Sequence, residues 1–254
     1  MLRYALKVVP FKEVVKPHGI TIVLVVKLLK EGKMNEPTEN FIATFQSLMK
    51  NGDKQQAESL LKKSVAEMPH NWKPIGESPD VLSMAFWNQE EFLMFIAHHE
   101  KSNRYKKLLW IAPSYSRAFY YLSFIAVGRQ DWSQALKYIN EALTLEPDHP
   151  LSLCEKATIL SNGMNDKEEA LKLFMKAIIV RPWSPNTYIA KAMRGAAIIL
   201  IDLKKFEEAK KLLEESLNIE PESKVAKHEL NYIKQLLSGA TPTSKWKVWR
   251  SGSW

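Results

Sequence analysis

Few residues in this 254-residue chain have the types and spacing that chemistry requires. The nearest approach to a metal cluster is His98-His99-Glu100. Neighbours on a helix point about 100° apart, so the two imidazoles do not converge, and we interpret them as solvated histidines at a helix end. Cys154 has no sequence signature of a nucleophile, and its place in a helix favours simple packing.

The sequence also lacks a glycine-rich phosphate loop and any pair of Cys or His residues at zinc spacing. We therefore expect no metal, no cofactor and no enzymatic activity, although a catalytic site assembled from scattered residues stays open. A single cysteine rules out an internal disulfide and fits a reducing, cytoplasmic location.

The net charge of +8 raises the question of a nucleic-acid partner, and the distribution of charge bears on it. Residues 1–33 hold seven basic and two acidic side chains, a net charge of +5, and residues 239–254 contribute the other +3. The body between them, residues 34–238, has 26 side chains of each sign. This balance argues against a basic groove that follows phosphates.

The elements that would position a functional side chain are helices with a repeated spacing. In residues 116–147, Trp132, Ala135, Ile139 and Ala142 fall three, four and three residues apart, which places them on one helical face. Small residues in such a stripe allow another helix to approach closely. The preceding residues repeat the spacing, so this stretch predicts a helical hairpin.

The hairpin spacing occurs four times. Each time an alanine stands 12 residues before a proline, and apolar or small residues follow the alanine by four and seven positions. The pairs are Ala57 and Pro69, Ala135 and Pro147, Ala170 and Pro182, and Ala209 and Pro221. Each proline ends its helix because it lacks an N–H and clashes with the preceding turn.

This pattern resembles the tetratricopeptide repeat family, whose units are helix–turn–helix pairs of about 34 residues. The resemblance covers residues 38–69 and 116–221. It implies an all-α fold, a right-handed α-solenoid of about five helix–turn–helix pairs followed by a C-terminal capping helix. It indicates a binding scaffold and does not name the partner.

The sequence predicts three parts. Residues 34–238 form the repeat domain, within which residues 70–112 are interpreted as a divergent helix pair that stacks in line with its neighbours. Residues 239–254 form a flexible basic tail with three tryptophans. A disordered end, or docking to a partner, a membrane interface or the protein's own groove, all stay open for this tail.

Residues 1–33 form a basic arm that does not match the repeats. Its run Ile20–Val26 has strand character, and Lys27 interrupts it long before it could span a bilayer as a helix. Three interpretations stay open: a mistaken start upstream of Met34, a loosely packed or disordered arm, and a membrane or organelle-targeting element. We expect a chain that starts at Met34 to fold as well as the full chain, and no membrane contact by residues 34–238.

The resemblance also implies a partner-binding site, because in this family the first helices line a concave groove that takes an extended peptide or a helix. Carried over residue by residue, the groove consists of Ile42, Gln46, Arg117, Tyr120, Phe124, Leu151, Cys154, Thr158, Ile189 and Met193. The Lys, Asn and Arg side chains with which some members bind a chaperone's C-terminal carboxylate are replaced here by Ile, Gln, Tyr, Phe, Cys and Thr. A packing role between repeats stays open for Tyr120 and Phe124.

Two functions fit these observations. The first is an adaptor or chaperone-like scaffold that binds a peptide or helix of a partner protein; the second is a permanent structural subunit of a larger protein assembly. A sparse apolar groove with polar edges favours the first, and a broad apolar outer face favours the second. The sequence leaves the oligomeric state unknown.

Overall fold

The computed structural model describes residues 13–15, 21–23, 41–99, 107–111 and 114–239. These residues form ten helices: α1 Phe41–Asn51, α2 Lys54–Ala66, α3 Gln89–His99, α4 Tyr115–Gly128, α5 Trp132–Leu145, α6 Pro150–Gly163, α7 Lys167–Ile179, α8 Asn186–Asp202, α9 Phe206–Ile219 and α10 Lys224–Leu237. They also form five strands: β1 Glu13–Val15, β2 Thr21–Val23, β3 Ile75–Ser78, β4 Val81–Ala85 and β5 Lys107–Ile111. The predictions for residues 240–254 and for Glu100 lie outside this part of the chain.

Nine of the helices confirm the predicted solenoid. They form four helix pairs, α1 with α2, α4 with α5, α6 with α7 and α8 with α9, and α10 follows as a cap. The alanine of each repeated stripe has 0% of its surface exposed, as expected where two helices approach most closely. Each second helix ends two or three residues before its proline: Ala66 before Pro69, Leu145 before Pro147, Ile179 before Pro182 and Ile219 before Pro221.

The turns inside the helix pairs share one backbone feature. Gln130, Asn165 and Lys204, which end the turns after α4, α6 and α8, have positive φ angles of 59°, 55° and 61°. This left-handed conformation lets the chain reverse within a few residues. The side chains of Asp131 and Asp166 then accept hydrogen bonds from backbone N–H groups of the next helix and so fix its start.

The longest helix, α8, packs against α7 at a point where it has no side chain. A Cβ atom added to Gly195 would overlap the ring of Phe174, so the glycine makes room for that ring. Phe174, Ala170 and Ala177 of α7 share one buried cluster with Ala192 and Ala196 of α8.

Residues 75–111 contradict the predicted divergent helix pair. Their described residues form β3, β4, α3 and β5, a unit that we call the insert, in which α3 is helical and the rest is strand or turn. The insert does not stack between its neighbours, because α2 packs directly on α4: Ala57 and Leu61 share a buried cluster with Ala118 and Leu122. The solenoid therefore has four helix pairs and carries the insert to one side.

The strands form one mixed sheet in the order β1-β2-β5-β4-β3. The turn at Pro79 and Asp80 joins β3 to β4 as an antiparallel hairpin, and α3 connects the parallel strands β4 and β5. Helix α3 covers one face of the sheet with a cluster of Leu82, Met84, Phe86, Phe92, Phe95, Ile96 and Leu108.

Strands from the first 33 residues complete the sheet. Glu13–Val15 pairs antiparallel with Thr21–Val23, which pairs in parallel with β5 through Thr21 and Lys107 and through Ile22 and Leu108. The β-branched run thus supplies a strand, as its composition indicated. This finding differs from the expectation of a loosely packed arm for these six residues; the rest of residues 1–33 lies outside the described part.

Candidate functional site: the groove face and the docked insert

Within each first helix, the predicted groove residues are three or four positions apart and so share one side of that helix, which we call the groove face of α1, α4, α6 and α8. They differ in exposure. Gln46 and Phe124 are exposed; Ile42, Arg117, Leu151, Thr158, Ile189 and Met193 are half-buried; and Tyr120 and Cys154 are buried. Tyr120 and Cys154 therefore offer almost no surface to a ligand, at odds with the expectation that they line an open groove.

Trp87, at the junction of β4 and α3, covers part of the groove face. Its indole ring stacks on His149 with centroids 3.5 Å apart and lies 5.1 Å from the ring of Tyr120. The indole N–H donates to Ser116 Oγ at 3.2 Å and to Glu146 Oε1 at 3.1 Å. Tyr120 and Leu151 belong to the same apolar cluster, so the insert fills the groove between α4 and α6.

Two further contacts hold the insert at this point, one through the backbone of Trp87 and one through the side chain of Asn88. The guanidinium of Arg117 donates to the carbonyl oxygen of Trp87 and to the hydroxyl of Tyr121. Asn88 Nδ2 donates to the hydroxyl of Tyr188 on α8 at 2.6 Å, and Asn88 Oδ1 accepts from the backbone N–H of Glu91. Asn88 thus caps the start of α3 and ties the insert to α8, in addition to its contacts with α4 and α6.

A buried ionic cluster stands behind Trp87. Arg181, from the turn before α8, donates to Glu91 Oε1 at 3.0 Å, to Glu146 Oε2 at 3.0 Å and to Asp148 Oδ1 at 2.7 Å. Burial by itself raises the pKa of Glu91, but His149 and Arg181 outweigh it and hold this pKa at about 2. The carboxylate is therefore ionised and paired, as a buried charge must be.

The sequence did not single out these residues. Trp87 was one of several aromatics in a dense stretch, which indicated only a core. Glu146, Asp148 and Arg181 stand beside helix-ending prolines, where charged residues are ordinarily exposed. The sequence signal for this ion pair lies in two residues taken together. Glu146 precedes Pro147 and Arg181 precedes Pro182, so opposite charges stand at equivalent turns of adjacent repeats.

The remaining groove face is open and sparsely apolar. Phe124 lies one turn beyond Tyr120 on α4 and has 39% of its surface exposed. The groove positions of neighbouring first helices hold polar residues, Gln46 on α1 and Thr158 on α6, and α8 also carries the half-buried Lys191 and Arg194. Lys191 and Arg194 were not predicted, since the extra length of α8 left the register of its outward face ambiguous.

Cys154 lies in a cluster with Ala192 and Ala196. Burial raises the pKa of its thiol to about 12, so the thiolate that a nucleophile needs does not form near neutral pH.

His98 and His99 lie in the last turn of α3, where His98 is exposed and His99 packs 4.2 Å from the ring of Phe95. Within the described residues, no group of three or more His, Cys, Asp or Glu side chains is placed to hold a metal ion. Within the same residues, no helix combines the length and apolar character needed to cross a membrane.

The geometry defines a class of protein, a solenoid of helix–turn–helix repeats with a mixed-sheet insert docked on its groove face. Comparisons with known proteins place the solenoid more closely. Residues 195–223 match the tetratricopeptide repeat. No curated protein sequence matches the chain.

Two solved structures share the fold at low identity, and a third matches about half of the chain. PilW, a widely conserved type IV pilus biogenesis factor, is 16% identical, with a TM-score of 0.57 over 81% of this chain and 72% of its own. A tetratricopeptide repeat protein from Parabacteroides merdae is 16% identical, with a TM-score of 0.50 over 81% of this chain and 61% of its own. The first repeat domain of Spaghetti (RPAP3), bound to an HSP90 peptide, is 21% identical, with a TM-score of 0.43 over 48% of this chain and 93% of its own.

Residues 195–223 thus carry a tetratricopeptide repeat, and the described residues share the helical-repeat fold of PilW.

Proposed function

We propose that this protein is a protein-interaction scaffold that binds an extended or helical segment of a partner protein on the open part of its groove face. The observation that carries the proposal is the exposure of Phe124, 39%, on a helix whose neighbouring groove residue Tyr120 is 7% exposed. An exposed aromatic ring with polar side chains around it has the composition of a binding hot spot. The insert restricts the site, because Trp87 already occupies the groove between α4 and α6.

The neutral body and the single buried cysteine support a cytoplasmic protein partner over a nucleic acid as part of this proposal. Because the open groove residues are mainly uncharged, the affinity for the partner should depend weakly on salt.

The test is affinity capture of a partner by the full chain, followed by measurement of its affinity for matched variants. Phe124→Ser should weaken binding by about 2 kcal/mol, roughly 30-fold, because the aromatic anchor is lost. Met164→Ser is the control, since Met164 is 46% exposed in the turn after α6 and belongs to neither proposed contact. Unchanged affinity of a folded Phe124→Ser variant would place binding elsewhere.

The second candidate, a permanent subunit of a larger assembly, is favoured by one observation. Met175 and Ile179 lie one turn apart on α7 and are 44% and 75% exposed. Exposed apolar neighbours mark protein contacts when they form a patch. If this candidate is correct, Ile179→Ser rather than Phe124→Ser should release a stoichiometric partner that co-purifies with the chain, as measured by size-exclusion chromatography with light scattering.

A further inference from the structure

Three buried polar residues lie along the N-terminal half of α6. His149, Ser152 and Glu155 follow one another at intervals of three residues, on one side of the helix, and none is more than 6% exposed. Ser152 Oγ and Glu155 Oε1 are buried without a hydrogen-bond partner. Such atoms are rare in folded proteins, because each buried polar atom left unpaired is destabilising.

The position of His149 has an explanation in the docked insert, since its ring stacks on Trp87 and its Nε2 lies 3.5 Å from Glu91 Oε1. Glu155 has no such explanation. Its charge interacts electrostatically with Tyr120 on α4, with Cys154 beside it on α6, and with Lys191 on α8. Among the described side chains, no ion pair joins Glu155 to Lys191, although α6 and α8 pack side by side.

We propose that Glu155, together with Ser152, forms a subsite of the groove face that receives a cationic side chain, the ammonium of a lysine or the guanidinium of an arginine, from the bound partner segment. This subsite rests on the proposed binding of a partner at the groove face. Glu155 precedes the half-buried groove residue Thr158 by three positions on α6, which places the two side chains on the same side of the helix, so the subsite borders the open part of the face.

The chemistry of the unpaired atoms selects a cation. An ionised carboxylate only accepts hydrogen bonds, so its vacant oxygen needs a donor, and a charged donor makes the stronger bond. A carboxylate from the partner would instead face the negative charge of Glu155. Burial raises the pKa of Glu155 to about 7, with Lys191 opposing the effect. A bound cation lowers that pKa, so binding at neutral pH should release a proton.

The experiment uses the full chain and two small probes, N-acetyl-lysine methylamide and N-acetyl-arginine methylamide, with the norleucine analogue as an uncharged control. The carboxyl carbon of Glu155 is followed by ¹³C NMR, and its signal is assigned with Glu155→Gln. At least one cationic probe should shift the signal saturably and lower the pKa of Glu155 by at least half a unit. Glu141→Gln, which changes an exposed carboxyl on α5, should leave this response intact.

Two results would overturn the subsite. The first is the absence of a saturable shift with either cationic probe. The second is an ordinary pKa for Glu155 in the free protein that rises in Lys191→Met, because the subsite would then already hold Lys191. The probes carry no apolar anchor, so Phe124→Ser should respond like the unaltered chain. A failed subsite and a failed groove anchor are therefore separate outcomes.

Discussion

Arg181 links the insert to the solenoid through ion pairs. It is 3% exposed and pairs with Glu91 of the insert, with Glu146 at the C-terminal cap of α5 and with Asp148 in the turn before α6. The three carboxylates repel one another at this distance, and the guanidinium of Arg181 compensates for that repulsion because it donates hydrogen bonds to all three. Burial lowers the pKa of Arg181, but its three acidic partners outweigh this effect and raise it, so the charge is permanent.

Glu155 should make stability depend on pH in an unusual direction. Burial raises its pKa from 4.5 to about 7, so between these values the folded protein holds a proton that the unfolded chain has lost. Its contribution to stability is complete below pH 4.5 and is lost as pH rises toward 7, by up to about 3 kcal/mol. Glu155→Gln should therefore be more stable than the unaltered chain at pH 8.

Urea unfolding of both proteins at pH 5, 6, 7 and 8 measures this effect. The difference between the two free energies of unfolding isolates Glu155, since carboxyls with lowered pKa values such as Glu58 and Glu91 titrate equally in both. A constant difference across this range would mean that Glu155 is paired or solvated in solution.

The contact between α7 and α8 sets the spacing of the last two helix pairs. Gly195 admits the ring of Phe174, and Ala170, Ala177, Ala192 and Ala196 keep the surrounding surface flat. Interiors packed at this density tolerate few added atoms. Substitutions that enlarge side chains at this contact should therefore destabilise both of the last two helix pairs.

Ala170→Arg should destabilise the protein far more than Lys172→Arg. Ala170 is 0% exposed, so the new side chain must separate α7 from α8, at about 1–3 kcal/mol or more. The side chain of Lys172 is 72% exposed on the same helix, and its exchange keeps the charge. Thermal unfolding followed by circular dichroism should show a lower midpoint for Ala170→Arg alone, and equal midpoints would show that this helical face is misassigned.

The helix pairs were predictable because their signal is local. The alanine, the apolar residue four positions later and the proline 12 positions later lie within one helix and its end, so the sequence contains the whole pattern. The insert was not predictable in this way. Leu82, Met84 and Ala85 of β4 are good helix formers, and they form a strand because β5 lies beside them.

The candidate site likewise has a part that the local sequence pattern predicts and a part that depends on long-range contacts. The position of Phe124 on the groove face follows from its spacing within α4, whereas the cover over Tyr120 depends on Trp87, which belongs to the insert. A contact between residues of two separately formed units has no periodicity to reveal it. Pro79 and Asp80 between two short runs were the available hairpin signal.

At the scale of the whole molecule, the protein joins two architectures that share few elements. The helix pairs bury their faces against sequence neighbours, as repeat proteins do. The sheet combines strands from residues 13–23 with strands from residues 75–111, and Trp183, from the turn before α8, packs 5.4 Å from Phe95 of the insert. The N-terminal strands should therefore matter to the insert more than to the repeats.

A chain that begins at Met34 should keep its helical circular dichroism but show faster hydrogen exchange at Lys107 and Leu108, because β5 loses its pairing with Thr21 and Ile22 there, whereas residues 109–111 stay paired with β4. The matched control lacks only residues 1–12 and retains both strands. Exchange at Lys107 and Leu108 that is the same in the full chain, the control and the Met34 chain would restore the view of residues 1–33 as a separable arm.

The pairing of β2 with β5 also bears on the order of folding. Thr21 must find Lys107 across a long loop that contains the entire first helix pair, whereas each helix pair closes over a turn of a few residues. Closing a long loop costs more entropy and is slower, so the repeats should form first and the sheet afterwards. During synthesis, the insert around Trp87 can pack completely on the solenoid only after Arg181 and Tyr188, which bind its residues Glu91 and Asn88, have left the ribosome. The nascent chain thus exposes the aromatic residues around Trp87 until late in synthesis, and this interval is where a chaperone would be needed.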